Sequence, residues 1–162
     1  MDIKFQKMDR THQKAVMDIY NDYIKTSTAA FPAVVLADSF YEQILERTKN
    51  YPAFVLVDAE NVVGFCFLSQ FHMFSTFQTA ATITYFLSAN YVRKGLGTLC
   101  IEKMESEALL LGIHQMIAEI SSENEASINF HKKHGFHVAG RFSRVGQKLN
   151  RTFDIVCMQK EI

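Results

Sequence analysis

The segment from Ala81 to Gly112 most constrains the fold, because it predicts a strand that turns through two glycines into a helix. Residues 81–87 are rich in β-branched and aromatic side chains, which favour a strand. Apolar residues then recur at helical spacing as far as Gly112. Gly95 and Gly97 lie where this helix begins. A helix N-terminus offers unpaired N–H groups and the positive end of the helix dipole, so the segment predicts a cradle for an anion such as pyrophosphate.

Two better-known phosphate-binding patterns do not fit this turn. The P-loop pattern G-x-x-x-x-G-K-[ST] is absent. The dinucleotide pattern G-x-G-x-x-G fails at its third glycine, which is Cys100 here. An ordinary tight turn between a strand and a helix therefore stays open as an alternative interpretation of the two glycines alone.

Composition narrows the class of protein. The 162 residues suit one domain over residues 1–162. Lys plus Arg equals Asp plus Glu, at 17 each, so the charge does not favour nucleic acid as a partner. No apolar run approaches the roughly 18 residues that span a membrane, and residues 1–10 contain no signal-peptide core. The three cysteines form no C-x-x-C pair and are expected to be reduced, which favours a cytoplasmic protein.

The order of elements predicts a mixed α/β (α+β) domain around one sheet. The hydrophobic pattern gives β-α-α-β-β-β-α-β-α-β-β, with the strand, helix and strand of residues 81–120 as the parallel crossover. Thr11 is expected to cap the first helix, and Ser39 with Glu42 to form a capping box on the second. Strands are expected at residues 136–142 and 152–159. Because the glycine turn follows the fourth strand rather than the first, the order argues against a nicotinamide-binding fold.

Two motifs resemble the GNAT superfamily of N-acetyltransferases, which bind acetyl-coenzyme A. The turn Val92–Gly97 is similar to the loop [QR]-x-x-G-x-[GA], with Val92 departing at its first position. Residues 124–136 resemble the signature N-x-x-S-i-x-l-[HY]-x-x-l-G-F. Fragments along nearly the whole chain, such as residues 27–31, are most similar to the phosphinothricin acetyltransferase branch. The resemblance implies a single, mostly antiparallel sheet whose central parallel strand pair splays apart, flanked by helices.

The resemblance also implies roles on the acetyl-CoA side. The end of the strand 81–87 would pair through its backbone with the pantetheine arm, the N–H groups of the turn would hold the pyrophosphate, and Asn124 would contact the arm. His131 would lie near the thioester sulfur, where an imidazole can supply a proton to the departing thiolate. The residues given these binding roles are Tyr85, Phe86, Leu87, Arg93, Lys94, Gly95, Leu96, Gly97, Thr98 and Asn124.

The acceptor side is predicted from a loop and a set of aromatic residues. Ser27, Thr28 and Phe31 lie in the loop that resembles the acceptor-side loop of the family, with an ordinary loop after a helix as the alternative. Phe74 belongs to a group of phenylalanines between residues 65 and 86 that could line an apolar pocket or form the sheet core.

The chain departs from the phosphinothricin branch where that branch carries a strand Glu and a preceding Arg. Phe65–Val92 contains no Asp, Glu, Lys or Arg. Glu119, five residues before Asn124, is the substitute base that we predict, and we expect it to be partly buried; a solvent-facing carboxylate without a chemical role is the alternative. The missing charges favour an apolar amine without a carboxylate as the acceptor.

These observations predict a cytoplasmic enzyme that moves an acetyl group from acetyl-CoA to the primary amine of a small molecule, either an amino-acid analogue or an apolar amine. No metal is expected, because Gly135 separates His131 and His134 from His137. No nucleic acid or membrane partner is expected, and a homodimer stays open. Two alternatives are an acyl-CoA-binding regulator without turnover and a nicotinamide-dependent oxidoreductase, which would need a glycine at position 100.

Overall fold

A computed structural model describes all 162 residues, and its seven strands lie in one sheet. The strands are β1 (Ile3–Lys7), β2 (Ala53–Asp58), β3 (Asn61–Gln70), β4 (Ala80–Leu87), β5 (Gln115–Ser121), β6 (His137–Lys148) and β7 (Arg151–Glu161). Their spatial order is β1-β2-β3-β4-β5-β7-β6, and every neighbouring pair is antiparallel except β4 and β5. The predicted mixed fold with a single parallel pair is therefore confirmed.

Four helices cover the two faces of the sheet. They are α1 (Gln13–Thr26), α2 (Tyr41–Thr48), α3 (Leu96–Leu110) and α4 (Glu125–Lys133). The buried side chains of α1 and α2 form one core with Phe65 and Phe67 of β3. Those of α3 form a second core with β4, β5 and β7, against which Ile128 and Phe130 of α4 also pack. None of the helices is long and apolar enough to cross a membrane.

Both predicted helix caps are wrong, because a short 3-10 turn precedes each helix. Before α1, the carboxylate of Asp9 accepts a hydrogen bond of 2.8 Å from the Thr11 N–H, so Asp9 rather than Thr11 is the cap. Before α2, Ser39 lies inside the turn and its side chain caps nothing. The carboxylate of Glu42 pairs instead with Arg10, 3.1 Å away.

The strands β4 and β5 separate after a short paired stretch. They pair only where Ala80–Thr82 lies beside Gln115–Ile117. From Ile83 to Leu87, the edge of β4 that faces β5 has no strand partner, so its N–H and C=O groups are left for another molecule, apart from the Leu87 carbonyl, which accepts from Tyr23. The splayed pair that the resemblance implies is thus confirmed, and the gap between the strands leads directly to the glycine turn.

The last hairpin is longer than the sequence suggests. We expected β6 to end at Phe142, but it continues to Lys148 after a register shift between Phe142 and Gly146. Residues 149 and 150 alone form the turn, both with positive φ, as a type I′ hairpin turn requires. Polar residues can continue the strand because β6 is an exposed edge that buries almost no side chains.

Candidate active site

A cavity of about 700 Å³ runs along the splayed edge of β4. Its walls come from α1, α2 and the loop after α1 on one side, and from the glycine turn and α4 on the other. The floor is formed by β3, β4 and β5. The fold therefore brings the glycine turn, the splayed strands and the Asn124–Phe136 segment into one site, although they are far apart in the chain.

The glycine turn presents a run of unpaired backbone N–H groups. Gly95 has a φ of +83°, and Arg93 adopts a φ of +61° that is uncommon for a residue with a side chain. The N–H groups of residues 93–95 donate to no other group of the chain, and those of Leu96 and Gly97 lie in the first turn of α3, where a helix offers no acceptor. The Thr98 N–H is used, since it donates to the Gly95 carbonyl over 3.1 Å. Residues 93–97 therefore form the anion-binding concavity.

The two glycines serve different purposes. A Cβ placed on Gly95 meets no atom within 4 Å, so the space beside it is open to a ligand. A Cβ on Gly97 lies 3.0 Å from Phe130, so Gly97 lets α4 pack closely against α3. The side chains of Arg93 and Lys94 are exposed beside the turn. An open concavity of N–H groups flanked by two cations fits a diphosphate.

A side chain of α1 holds the splayed end of β4 in place. The Tyr23 hydroxyl donates a hydrogen bond of 2.7 Å to the Leu87 carbonyl. Leu87 lines the cavity together with Tyr85 and Phe86. From Leu87 to Ile83 the strand extends over roughly 13 Å, at about 3.3 Å per residue. This open edge suits an extended chain that carries amide groups, such as a pantetheine arm.

His131 is buried on α4, with 3% of its surface exposed, and both ring nitrogens have partners. Its Nδ1 lies 2.8 Å from the Ser127 carbonyl oxygen. Because that oxygen can only accept, Nδ1 carries the proton and Nε2 carries the lone pair. The Tyr85 hydroxyl, 3.3 Å from Nε2, is then the donor. Burial lowers the pKa of His131, and it raises the pKa of Tyr85.

This geometry places the mobile proton on Tyr85 and not on His131, the residue that we expected to donate it. We expected the His131 imidazole to supply a proton, but at neutral pH its Nε2 is an acceptor and the Tyr85 hydroxyl holds the proton. Tyr85 was expected to contribute through its backbone only. Its pairing with His131 was missed because it joins residues of β4 and α4 that are 46 positions apart in the chain.

Asn124 and Glu119 both line the cavity. Asn124 is the N-cap of α4, and its Oδ1 accepts a hydrogen bond of 3.2 Å from the Ser127 N–H. Glu119 lies on β5, where the strand has already parted from β4. It is exposed rather than partly buried.

The part of the cavity beneath α1 and α2 is aromatic, and we call it the acceptor end because the acceptor is expected there. Phe65 and Phe67 of β3 stack at 6.2 Å, and Phe86 packs between Phe65 and the tyrosines of α1. Phe65, Phe67 and Phe86 therefore belong to both the sheet core and the cavity wall. Of the predicted acceptor residues, Phe31 lines the cavity.

Three predicted acceptor residues lie elsewhere. Ser27 does not line the cavity, and Thr28 is buried with its hydroxyl 2.8 Å from that of Ser121. Phe74 is 62% exposed and stacks on His72 outside the cavity. The loop contributes Ala29 and Ala30 to the wall instead.

One cavity residue had no signal in the sequence. Arg47 of α2 lines the acceptor end, although Phe65–Val92 contains no charge. The expected preference for an acceptor without a carboxylate did not take this cation into account. It rested on the strands and the loop between them, and the helix that packs across them supplies the charge.

The comparison with known proteins agrees with the geometry of the site. Residues 16–136 match the Acetyltransferase (GNAT) family. The chain belongs to this family. It is 31% identical to the L-methionine sulfoximine/L-methionine sulfone acetyltransferase of Pseudomonas aeruginosa over 89% of this chain and 86% of that protein. It is 30% identical to the L-amino acid N-acyltransferase MnaT of Escherichia coli, over 100% of this chain and 94% of that protein.

Solved structures of acetyltransferases have the same fold as this chain. The ribosomal-protein-alanine N-acetyltransferase of Brucella melitensis superposes with a TM-score of 0.92 at 27% identity, covering 98% of this chain and 99% of that one. YncA of Salmonella typhimurium, solved with its cofactor acetyl-CoA, superposes with a TM-score of 0.92 at 25% identity, covering 99% and 94%. This GNAT enzyme is therefore an N-acetyltransferase that uses acetyl-CoA, and neither the oxidoreductase nor the regulator is favoured.

Proposed function

We propose that this GNAT enzyme transfers an acetyl group from acetyl-CoA to the α-amino group of an amino acid or amino-acid analogue with an uncharged side chain. The observation that carries the proposal is a single cavity that joins the N–H concavity, the open edge of β4 and the aromatic acceptor end. The relatives named above act on amino acids or on methionine analogues. The aromatic wall suits an apolar acceptor side chain.

The chemistry needs few side chains. Bound acetyl-CoA supplies a thioester, at whose carbonyl carbon the neutral amine forms the new C–N bond while the C–S bond breaks. The single Tyr85 hydroxyl proton, which is donated to His131 Nε2 in the free enzyme, turns toward the departing sulfur when the thioester is bound. As the hydroxyl proton moves to the sulfur, the phenolic oxygen takes the proton that the amide nitrogen loses. Tyr85 therefore ends in the state in which it began, and no free phenolate is needed.

A base must first remove a proton from the incoming ammonium. Glu119 is the residue that we propose, because it is the carboxylate among the cavity-lining residues. Its exposure also puts it in contact with solvent, which can carry the proton away. The backbone N–H groups at the open edge of β4 are the proposed donors to the oxyanion that develops on the thioester carbonyl.

The test combines binding with turnover. Calorimetry should show one acetyl-CoA site, and a panel of amino acids and simple amines should reveal acceptors through release of free coenzyme A. Release with amino acids that carry uncharged side chains is the expected result. Binding without release from any member of the panel would indicate an acyl-CoA-binding regulator, and absence of binding would overturn the proposal.

We also propose that residues 1–162 form one domain, that it acts in the cytoplasm and that it forms a homodimer. One sheet contains every strand, so a single unfolding transition is expected. The three cysteines are free thiols, which persist in reducing compartments. The edge strand β6 exposes Val138, Phe142 and Val145 by 48%, 60% and 61%, which is unusual for an unpaired edge. Sedimentation equilibrium at several concentrations tests the dimer.

A further inference from the structure

Three charged residues line the cavity, and each lies in a different part of it. Arg93 belongs to the glycine turn, and Glu119 lies on β5. Arg47 lies on α2, which packs over the aromatic residues of β3. Arg47 also lines a small adjoining cavity with residues 69–73, at the end of β3 that pairs with the start of β4. The glycine turn follows the other end of β4, so Arg47 is the cation of the acceptor end.

The Arg47 guanidinium has no partner within the chain. No carboxylate lies within 4.0 Å of it, and it donates no hydrogen bond. Arg10, Arg141 and Arg151 each pair with a carboxylate. Because exposed arginines without partners are common on protein surfaces, this observation needs a second one beside it.

The second observation is the hydroxyl of Ser69. Ser69 is buried, with 3% of its surface exposed, and it lines both cavities together with Arg47. Its hydroxyl makes no hydrogen bond within the chain. No side-chain polar atom is both sealed from solvent and unpaired, so the Ser69 hydroxyl opens into the cavity. A buried hydroxyl that points to a cavity without a partner is placed to bind a polar group of a ligand.

Ser69 lies beside the point at which β4 and β5 part. It pairs directly with Thr82 in the β3–β4 ladder, and Thr82 is the last residue at which β4 pairs with β5. A pantetheine arm that enters from the glycine turn can follow the open edge only as far as this point. Ser69 therefore lies at the closed end of the gap between the strands, beyond Tyr85–Leu87, and Arg47 lines the cavity beside it.

We propose that the Arg47 guanidinium binds the carboxylate of the amino-acid acceptor, with the Ser69 hydroxyl donating to the same carboxylate. The inference rests on the proposed function and names the residues that determine its specificity. A guanidinium presents two parallel N–H donors that match the two oxygens of a carboxylate. With the carboxylate held there, the acceptor side chain extends along β3 toward Phe67 and Phe65, which line the same cavity.

The experiment compares two acceptors that differ only in the carboxylate. L-methionine sulfone and its decarboxylated amine are each assayed with wild type, Arg47→Gln, Arg47→Lys and Ser69→Ala. We expect Arg47→Gln to raise the KM for the amino acid by roughly 10–100-fold, the range of a hydrogen bond to a charged group, and to leave the KM for the amine unchanged. Arg47→Lys should recover only part of the loss. Arg10→Gln is the matched control, because Arg10 pairs with Glu42 of the same helix but does not line the cavity.

A binding measurement separates failure of this inference from failure of the proposed function. L-methionine sulfone is titrated calorimetrically into wild type and Arg47→Gln, each saturated with coenzyme A. Turnover of amino acids with equal constants for wild type and Arg47→Gln would overturn the role of Arg47 and leave the function standing. Turnover of the amine alone would overturn the inference and the acceptor class together. If neither acceptor turns over, weaker binding to Arg47→Gln still supports the carboxylate site, and equal or absent binding overturns it.

Discussion

The Tyr85 hydroxyl donates a hydrogen bond to Nε2 of His131 over 3.3 Å, and this contact joins the splayed strand to the helix that closes the site. The partner of Nδ1 determines its direction, because a carbonyl oxygen can only accept. The phenol, and not the imidazole, therefore holds the mobile proton. Two side chains that act as one unit should show strongly non-additive effects when they are removed.

Tyr85→Phe removes the donor and keeps the ring, so the turnover number should fall by about 10–100-fold, in the lower range of acid–base effects. The turnover number of His131→Ala should fall by a similar factor. The double variant should be little slower than either single one. Acetyl-CoA affinity, measured by calorimetry, should change little in Tyr85→Phe. Multiplicative losses in the double variant, measured where chemistry limits the rate, would show that the two residues act independently.

Acid sensitivity follows from the same buried histidine. Burial lowers the pKa of His131 below its ordinary value of 6.5, so between the lowered value and 6.5 the unfolded chain binds more protons than the folded one. The stability from the neutral ring is complete above pH 6.5 and is lost as pH falls through the lowered pKa. Urea unfolding of wild type and His131→Gln is measured at several pH values. Below pH 6.5, the free energy of unfolding of wild type should fall relative to that of His131→Gln. A difference that is independent of pH would mean that the ring does not titrate below its ordinary range.

Gly95 and Gly112 form a matched pair for testing the phosphate cradle. Both have positive φ, at +83° and +71°, and a Cβ on either meets no atom within 4 Å. Alanine at each position should therefore cost about 1–2 kcal/mol of unfolding free energy for the left-handed backbone. Only Gly95→Ala places a methyl group in the proposed pyrophosphate site, so only this variant should weaken acetyl-CoA binding in calorimetry. If both variants bind acetyl-CoA with equal affinity, residues 93–97 do not form the pyrophosphate site.

The sequence predicted the fold and the acetyl-CoA side far better than the acceptor side. The hydrophobic pattern of each segment and the glycine turn are local features of the sequence. On the acetyl-CoA side, backbone groups do most of the proposed binding. The acceptor end is built from side chains that only tertiary packing brings together. Arg47 lines the cavity from a helix whose own pattern predicts only an amphipathic surface helix, and Ser69 is one more residue in a buried strand. The helix caps were misplaced for a related reason, since a 3-10 turn shifts each helix start without changing the apolar period.

Glu119 stays a prediction, and its variant has a clear readout. Glu119→Gln keeps the shape and removes the proton acceptor, so kcat/KM should fall by about 10–100-fold and the acidic limb of its pH profile should change. Glu125→Gln is the control, because Glu125 is also exposed and lies near the site on α4 without lining the cavity. An unchanged profile in Glu119→Gln would indicate that solvent removes the proton from the acceptor.

Lys148 should act on the acceptor through the loop it holds. Its side chain is buried, and Nζ donates a hydrogen bond of 2.6 Å to the Ala30 carbonyl. Burial also lowers the pKa of Lys148. Lys148→Met keeps the length but leaves that carbonyl unpaired, which should cost about 1–3 kcal/mol of unfolding free energy.

Because Ala30 lines the acceptor side of the cavity, the KM of Lys148→Met for the amino acid should rise while its KM for acetyl-CoA stays near the wild-type value. Lys14→Met is the control, since Lys14 is exposed on α1 and pairs with Asp18. Parallel increases in both KM values would mean that the substitution loosens the whole site rather than the loop that Lys148 holds.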